Sequence, residues 1–480
     1  MKVRHFRQLW MVISLVAIST GFGLAQAVAA QEDQADVEKG MEVLTRGPVH
    51  EAFAQTVTFD PQPGIVVQKA PPDTIEEVPP EQKPEGANVA WIPGYWAWDE
   101  EKSDFIWVSG IWRTLPPGRQ WMPGYWAKSE QGFQWTSGYW ADIKVGESEY
   151  LPEPPATVEV GPNINAPSPE YSWIPGCWVW HLGRYAWRPG YWAKMRLDWV
   201  WVPSYYVWTP RGYIFVDGYW DYTVGRRGFL FAPVYFHSRM YTQRGFYYSP
   251  AILIDLTVFT DCLFLRPRYH HYYFGDYYAA HHYREGIYPW FSLHARRYGY
   301  DPIYAHQRWE HRRDREWEQR LKVKFRERRD HEEARPMRRL ATPGELSTRG
   351  GKSRDQRVFV ATPLDRMKKS KGTSWRFQSL NKQERDQIGQ RGQELRKFRE
   401  KRQELETKAP DRRTTSPSKG FEPPRARLPR SPIVAKSAER LGKKQAPPKR
   451  YDAPRPDPNV EPVGRTYGTR RGSPDRNHQR

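Results

Sequence analysis

Eight copies of one short pattern, aromatic-x-x-Gly-x-Trp, run from residue 91 to residue 220 and constrain the fold more than anything else in the chain. They read WIPGYW from Trp91, WVSGIW from Trp107, WMPGYW from Trp121, WTSGYW from Trp135, WIPGCW from Trp173, WRPGYW from Trp187, WVPSYY from Trp201 and FVDGYW from Phe215. Five of the seven intervals between starts are 14 residues, a periodicity that marks a repeat architecture. A period that short excludes a helix pair, and Trp, Tyr, Val, Ile and Phe suit a pleated, half-buried surface. The intervening segments, such as Asp99 to Asp104, Ser129 to Gly132, His181 to Arg184 and Thr209 to Gly212, are turn-like in composition. Each copy therefore predicts one antiparallel strand and one loop.

The two aromatics of a copy stand five residues apart, an odd offset that would place them on opposite faces of a regular strand. A bulge at the central Pro-Gly or Ser-Gly would return both rings to one face. Alternatively, Pro-Gly turns a tight hairpin, with Trp91 facing Trp96 across strands. Long bulged strands are favoured, because Pro-Gly suits a type II turn, which splays short hairpins. The residues that define the repeats are Trp91, Trp96, Trp107, Trp112, Trp121, Trp126, Trp135, Trp140, Trp173, Trp178, Trp187, Trp192, Trp201 and Trp220.

These copies resemble the bacterial WXXGXW repeat family, also written in its YXWGXW form, over residues 91 to 220. A weaker ninth copy, FAPVYF, begins at Phe231. Ser204 and Tyr206 depart from the expected Gly and Trp, and Cys177 replaces the usual Tyr. The resemblance implies an exported bacterial protein with no catalytic residues to carry over.

The copies fall into two sets, residues 91–149 and 171–305, the second including a Tyr- and His-rich extension over 221–300 that is expected to lengthen its sheet. Between them, residues 150–170 hold Pro152, Pro154, Pro155, Pro162, Pro167 and Pro169 and read as an extended connector. Residues 1–30 pair Lys2, Arg4 and Arg7 with an apolar run from Leu9 to Leu24 and small residues at Ala27, Ala29 and Ala30. This is a signal peptide, and it predicts export to the periplasm, cell envelope or extracellular space. The acidic, Pro-rich residues 31–90 read as an extended lead-in, with a short helix packed on the repeats at Arg46 to Ala54.

Charge is concentrated at the other end. From residue 306 onward there are 49 Lys and Arg against 24 Asp and Glu, so the net +20 belongs to the tail and the front is slightly acidic. Residues 306–408 predict a basic helical region, with one helix from Gln307 to Leu340 and another from Lys382 to Lys408. Ile388, Leu395, Phe398 and Leu405 give the latter a short coiled-coil seam, interrupted by Arg391 and Arg402. Residues 409–480 read as a disordered basic tail, and a protease-resistant aromatic core is expected to end near residue 305. The fold class is mainly β: an antiparallel β-meander of 14-residue Trp-rich repeats, followed by a basic helical and disordered C-terminal tail.

Reactive chemistry is sparse. Cys177 and Cys262 are candidates for one disulfide in an oxidising compartment. His270, His271, His281 and His282 are candidate metal ligands, but neighbouring His point to opposite strand faces, so no metal is assigned and no cofactor is implied. No nucleophile elbow, phosphate loop or dinucleotide fingerprint is present, and the chain reads as a non-enzyme. The expected role is a structural or scaffolding protein of the cell envelope. Its tail would hold an anionic envelope polymer or membrane surface, with self-association kept open and no specific nucleic acid expected. The alternative is a carbohydrate-binding protein that stacks polysaccharide on exposed Trp and Tyr rings.

Overall fold

The computed structural model describes residues 40–86, 88–237, 240–295, 299–340, 358–369, 376–408, 422–436 and 446–461. The signal peptide assigned to residues 1–30 lies outside these.

The repeats fold as four antiparallel hairpins, each made of two copies. In hairpin 1, Val89–Ile92 and Tyr95–Asp99 form one long strand interrupted at Pro93-Gly94, and Asp104–Val108 and Ile111–Thr114 form the other, interrupted at Ser109-Gly110. Tyr95–Asp99 pairs with Asp104–Val108, and Val89–Ile92 pairs with Ile111–Thr114. Hairpin 2 (residues 119–142), hairpin 3 (171–194) and hairpin 4 (199–222) repeat this pairing. Each copy is thus one long strand, and the central Gly does not turn a hairpin. The expected bulge is replaced by a symmetric kink. Ile92 faces Ile111 and Tyr95 faces Val108, so two residues leave the ladder on both strands and none is inserted. Left-handed backbone occurs instead at the hairpin turns, at Ser103, Gly132, Gly183 and Gly212.

Pairing within each set is more local than one continuous meander. Among the described residues no ladder joins one hairpin to the next, and strands from other parts of the chain cover edges of hairpins 1 and 2. Gly228–Phe229 and Val234–Phe236 pair with hairpin 1, and Val66–Val67 pairs with hairpin 2. The extension therefore returns to the first repeat set rather than lengthening the second. Val234 and Phe236 join Trp96, Phe105 and Trp107 in one apolar cluster there. Farther on, Leu263–Arg266 and His271–Phe274 make a separate hairpin flanked by Gly47–Pro48 and Tyr288–Pro289.

The described part of the lead-in is built into the core: Val49, Ala52 and Phe53 are fully buried. The helix expected at 46–54 is absent. Val49 donates its backbone N–H to Tyr272 instead, leaving a single turn in which the N–H of Phe53 reaches the carbonyl of His50.

Three longer helices follow: α1 (Pro302–Glu310), α2 (Trp317–Asp330) and α3 (Lys382–Thr407). The stretch from Gln307 is broken between α1 and α2, and its apolar stripe of Trp309, Leu321 and Phe325 is buried. Asn381 and Glu384 form a capping box at the start of α3. Its seam residues Leu395 and Phe398 join the main core cluster, and Ile388 packs against Trp91 and its neighbours. The chain's own repeats pack on that seam. Of residues 409–480, two stretches are described. Arg425–Ala426 pairs with Ser148–Glu149, and Tyr451 packs between Trp201 and Trp220. The main cluster runs from Val49 through all four hairpins to Trp290, Phe325 and Phe398, so a core boundary at residue 305 has no structural counterpart.

Candidate functional site

Register places the repeat aromatics in cross-strand pairs. Trp91 meets Trp112, Trp96 meets Trp107, Trp121 meets Trp140 and Trp126 meets Trp135 at ring-centroid distances of 5.1 to 5.4 Å. Trp173 with Trp192, Trp178 with Trp187 and Trp201 with Trp220 continue the series at 5.1 to 5.5 Å. Edge-to-face and tilted indole pairs add about 0.5–1.5 kcal/mol each beyond the area they bury.

The Gly of each kink lies under the first Trp of the partner copy. A Cβ on Gly138 would sit 2.5 Å from Trp121 Cζ2, and one on Gly124 would sit 2.5 Å from Trp135 Cζ2. Gly110 meets Trp91 and Gly176 meets Trp187 in the same way. Close approach, not backbone angle, excludes a side chain here, because none of these glycines has a positive φ.

The kink also frees backbone N–H groups, and a carboxylate from outside the repeats accepts them. In hairpin 1, Glu77 accepts from Gly94 N at 2.6 Å, Gly110 N at 2.8 Å and Trp107 Nε1 at 3.1 Å. In hairpin 2, Glu51 accepts from Gly138 N at 2.9 Å and Trp135 Nε1 at 3.0 Å. In hairpin 3, Glu159 of the connector accepts from Gly176 N at 2.5 Å and Trp173 Nε1 at 3.1 Å. Converging N–H donors form an anion-binding concavity, and bonds to a charged acceptor are the strong ones. Burial nevertheless pushes the Glu51 and Glu77 carboxyls up to about 7, against the pull of those same donors. Nothing in the sequence singles out these three glutamates, which lie outside the repeats.

Hairpin 4 has no outside carboxylate at its kink among the described residues. Gly218 N donates to Ser204 Oγ and to Asp217 Oδ1, both at 2.9 Å. All three sequence departures of this hairpin meet at one corner: Ser204 replaces Gly, Phe215 replaces the Trp that would lie over it, and Tyr206 pairs with Phe215 at 5.2 Å. The smaller ring leaves room for the hydroxymethyl group.

A cavity of about 740 Å³ opens beside hairpin 3, between the connector and helices α1 and α2. Trp173, Trp192 and Trp317 line it together with Arg308, Arg312 and Arg315. Trp173, Trp192 and Trp126 are the repeat tryptophans that keep partial exposure, whereas the others are buried.

The disulfide considered between Cys177 and Cys262 is not formed. Both are free thiols; Cys177 lies 3.2 Å from Arg188 Nη2, while Cys262 is buried 3.7 Å from Arg328. Nor are the two His pairs brought together. His270 Nε2 is bonded to Gln62 O and His271 Nε2 to Tyr95 Oη, and burial lowers both imidazoles to about 4, leaving them neutral structural groups. His281 and His282 instead meet Glu285, with one ligand atom of each within 4.8 Å of the others.

The fold and these sites define a class: a β-repeat protein whose unit is a kinked Trp hairpin, closed over an outside carboxylate in three of the four hairpins. Residues 86–113, 121–141, 169–193 and 196–221 match the two-copy WXXGXW repeat, each match covering one hairpin. Residues 86–221 thus carry repeated copies of the WXXGXW repeat. No curated protein and no solved structure is significantly similar to it.

Proposed function

We propose that this protein is a non-enzymatic structural or scaffolding component of the bacterial cell envelope, exported by a cleaved signal peptide, whose basic C-terminal region holds an anionic envelope polymer. The division of labour within that region carries the reading. Its apolar residues Leu321, Phe325, Leu395 and Phe398 anchor in the repeat core, while arginines such as Arg313 and Arg315 are exposed. An anchored, outward-facing basic surface favours polyanions through distributed charge. Burial of most repeat rings supports the same conclusion, since a ring packed against its cross-strand partner offers no stacking platform.

The full mature chain should bind anionic polysaccharide, anionic vesicles and DNA alike at low salt and release them steeply as salt rises past physiological strength. Salt-insensitive binding, or discrimination among polyanions of equal charge density, would overturn the tail reading. Cell fractionation tests export separately. A second reading, polysaccharide binding by stacking, is favoured only at the cavity beside hairpin 3, where Trp173, Trp192 and Trp317 accompany three arginines. Retention of a neutral polysaccharide that is lost in Trp192→Ala would support it.

A further inference from the structure

The lead-in and the connector carry the same phrase. Residues 71–77 read PPDTIEE and residues 154–160 read PPATVEV, and each phrase lies along the first hairpin of its repeat set.

They dock in the same manner. In the lead-in, Asp73 O accepts from Trp96 Nε1 at 3.0 Å, Ile75 packs with Trp96, Phe105 and Trp107, and Glu77 enters the kink. In the connector, Ala156 O accepts from Trp178 Nε1 at 2.9 Å, Val158 packs with Trp178, Tyr185 and Trp187, and Glu159 enters the kink. Trp178, Tyr185 and Trp187 occupy in hairpin 3 the positions of Trp96, Phe105 and Trp107 in hairpin 1. One detail differs: the lead-in uses its second Glu and the indole of the second copy, the connector its single Glu and the indole of the first. A paired kink offers an equivalent indole from either strand. The phrase supplies what such a surface needs, namely a chain pre-extended by Pro-Pro at low entropy cost, a β-branched anchor and a carboxylate.

The two occupants are held differently. In the lead-in, α3 reaches over the phrase, with Arg396 Nη2 on Ile75 O at 3.1 Å and Arg399 Nη2 on Thr74 Oγ1 at 2.8 Å, and Glu77 is buried. In the connector, Glu159 is only partly buried, Val160 and Ile164 are exposed, and the segment borders the open cavity.

We propose that hairpin 3 is a receptor for an extended Pro-Pro-x-Thr-(Ile/Val)-Glu segment, and that a second copy of this chain supplies its connector there in trans. Exchange of identical connectors preserves the contacts of Ala156, Val158 and Glu159, at the cost of bringing two chains together and of leading the connector out past Leu151, which pairs with Tyr213, and Ile164, whose carbonyl accepts from Trp192 Nε1. This goes beyond the polyanion reading and stands or falls separately, because its ligand is one carboxylate on a specific peptide and its readout is not charge density.

The test uses the full mature chain and a labelled synthetic peptide of residues 151–162. Glu159→Gln weakens the connector already in place, so this variant should bind the peptide saturably, and about tenfold or more weaker when the peptide carries Gln at the Glu159 position. Trp173→Phe, added to Glu159→Gln, keeps the ring but removes the indole donor and should lower the affinity. Near-UV circular dichroism checks that each variant retains its packing. In light scattering the wild-type chain should show a concentration-dependent dimer that Glu159→Gln loses. Equal binding of the Glu and Gln peptides, or no binding by a natively packed Glu159→Gln chain, would overturn the receptor. A wild-type chain that stays monomeric at all concentrations would overturn the exchange in trans.

Discussion

At the scale of single residues, the repeat signature reports a contact between copies. The Gly is required because a Trp from the partner strand occupies the space its side chain would take, and the first Trp is required because its indole lies against that bare backbone. Gly138→Ala should therefore destabilise the protein by about 1–3 kcal/mol in urea unfolding, whereas Gly146→Ala, with nothing within 4 Å of the added Cβ, should have little effect. The corner of hairpin 4 allows a sharper check. Phe215→Trp should be destabilising beside Ser204, and Ser204→Gly in the same chain should recover most of the loss, giving a coupling that a double-mutant cycle measures. The buried carboxylates add a pH dependence. Glu77 is raised from 4.5 to about 7, so its contribution to stability is fully present below the unfolded value and is lost as pH rises through the folded one. The melting-temperature difference between wild type and Glu77→Gln should accordingly shift against the wild type between about pH 5 and about pH 8; a constant difference would show that Glu77 does not titrate on unfolding. The Gly and Trp positions were legible in the sequence as a pattern. Their carboxylate partners were not, because Glu51, Glu77 and Glu159 lie outside the repeats, and sequence carries no record of which acid a fold will bury.

At the scale of elements, the 14-residue period revealed strands and hairpin turns but not how strands pair. Symmetric kinks and odd bulges give the same spacing, and only the partner strand distinguishes them. Helix α3 shows the same limit from the other side. Arg402 looked like an interruption in an apolar seam, yet it is wholly buried, paired with Glu406 at 3.1 Å and bonded to Pro123 O at 2.8 Å, with its guanidinium over the rings of Tyr125 and Tyr139. Glu406 in turn accepts from Tyr125 Oη at 2.7 Å. Removing one partner strands the other charge, so Arg402→Ala should cost about 3–5 kcal/mol, while Arg402→Met with Glu406→Leu should cost clearly less. Chemical denaturation of the two variants decides it. Equal costs for the two variants would mean that the ion pair is not the link between α3 and hairpin 2.

At the scale of the whole molecule, segments far apart in sequence close over the same hairpins. Composition separates an aromatic front from a basic tail, and that contrast reads naturally as a domain boundary. The physical connections cross it. Arg113 of hairpin 1 is fully buried against Asp221 of hairpin 4 at 2.6 Å, and Arg227 joins the same carboxylate. Helix α3 seals hairpin 2, and backbone bonds from Trp121 to Ile433 and from Trp187 to Asp457 extend the enclosure toward the C-terminus. Charge content does not reveal this, because the few apolar residues that anchor each helix are outnumbered by solvated Lys and Arg. Limited proteolysis of the full mature chain should thus yield a resistant fragment that extends past Thr407, because buried contacts on α3 raise the cost of local opening there. A chain cut back to Ala305 would leave the surfaces beneath Leu321, Phe325, Leu395 and Phe398 bare; it should bind a hydrophobic dye, and its near-UV dichroism should weaken relative to the full chain. If instead a fragment ending near residue 305 is protected and retains the full tryptophan dichroism, the helices are appended to the repeat core and are not part of it.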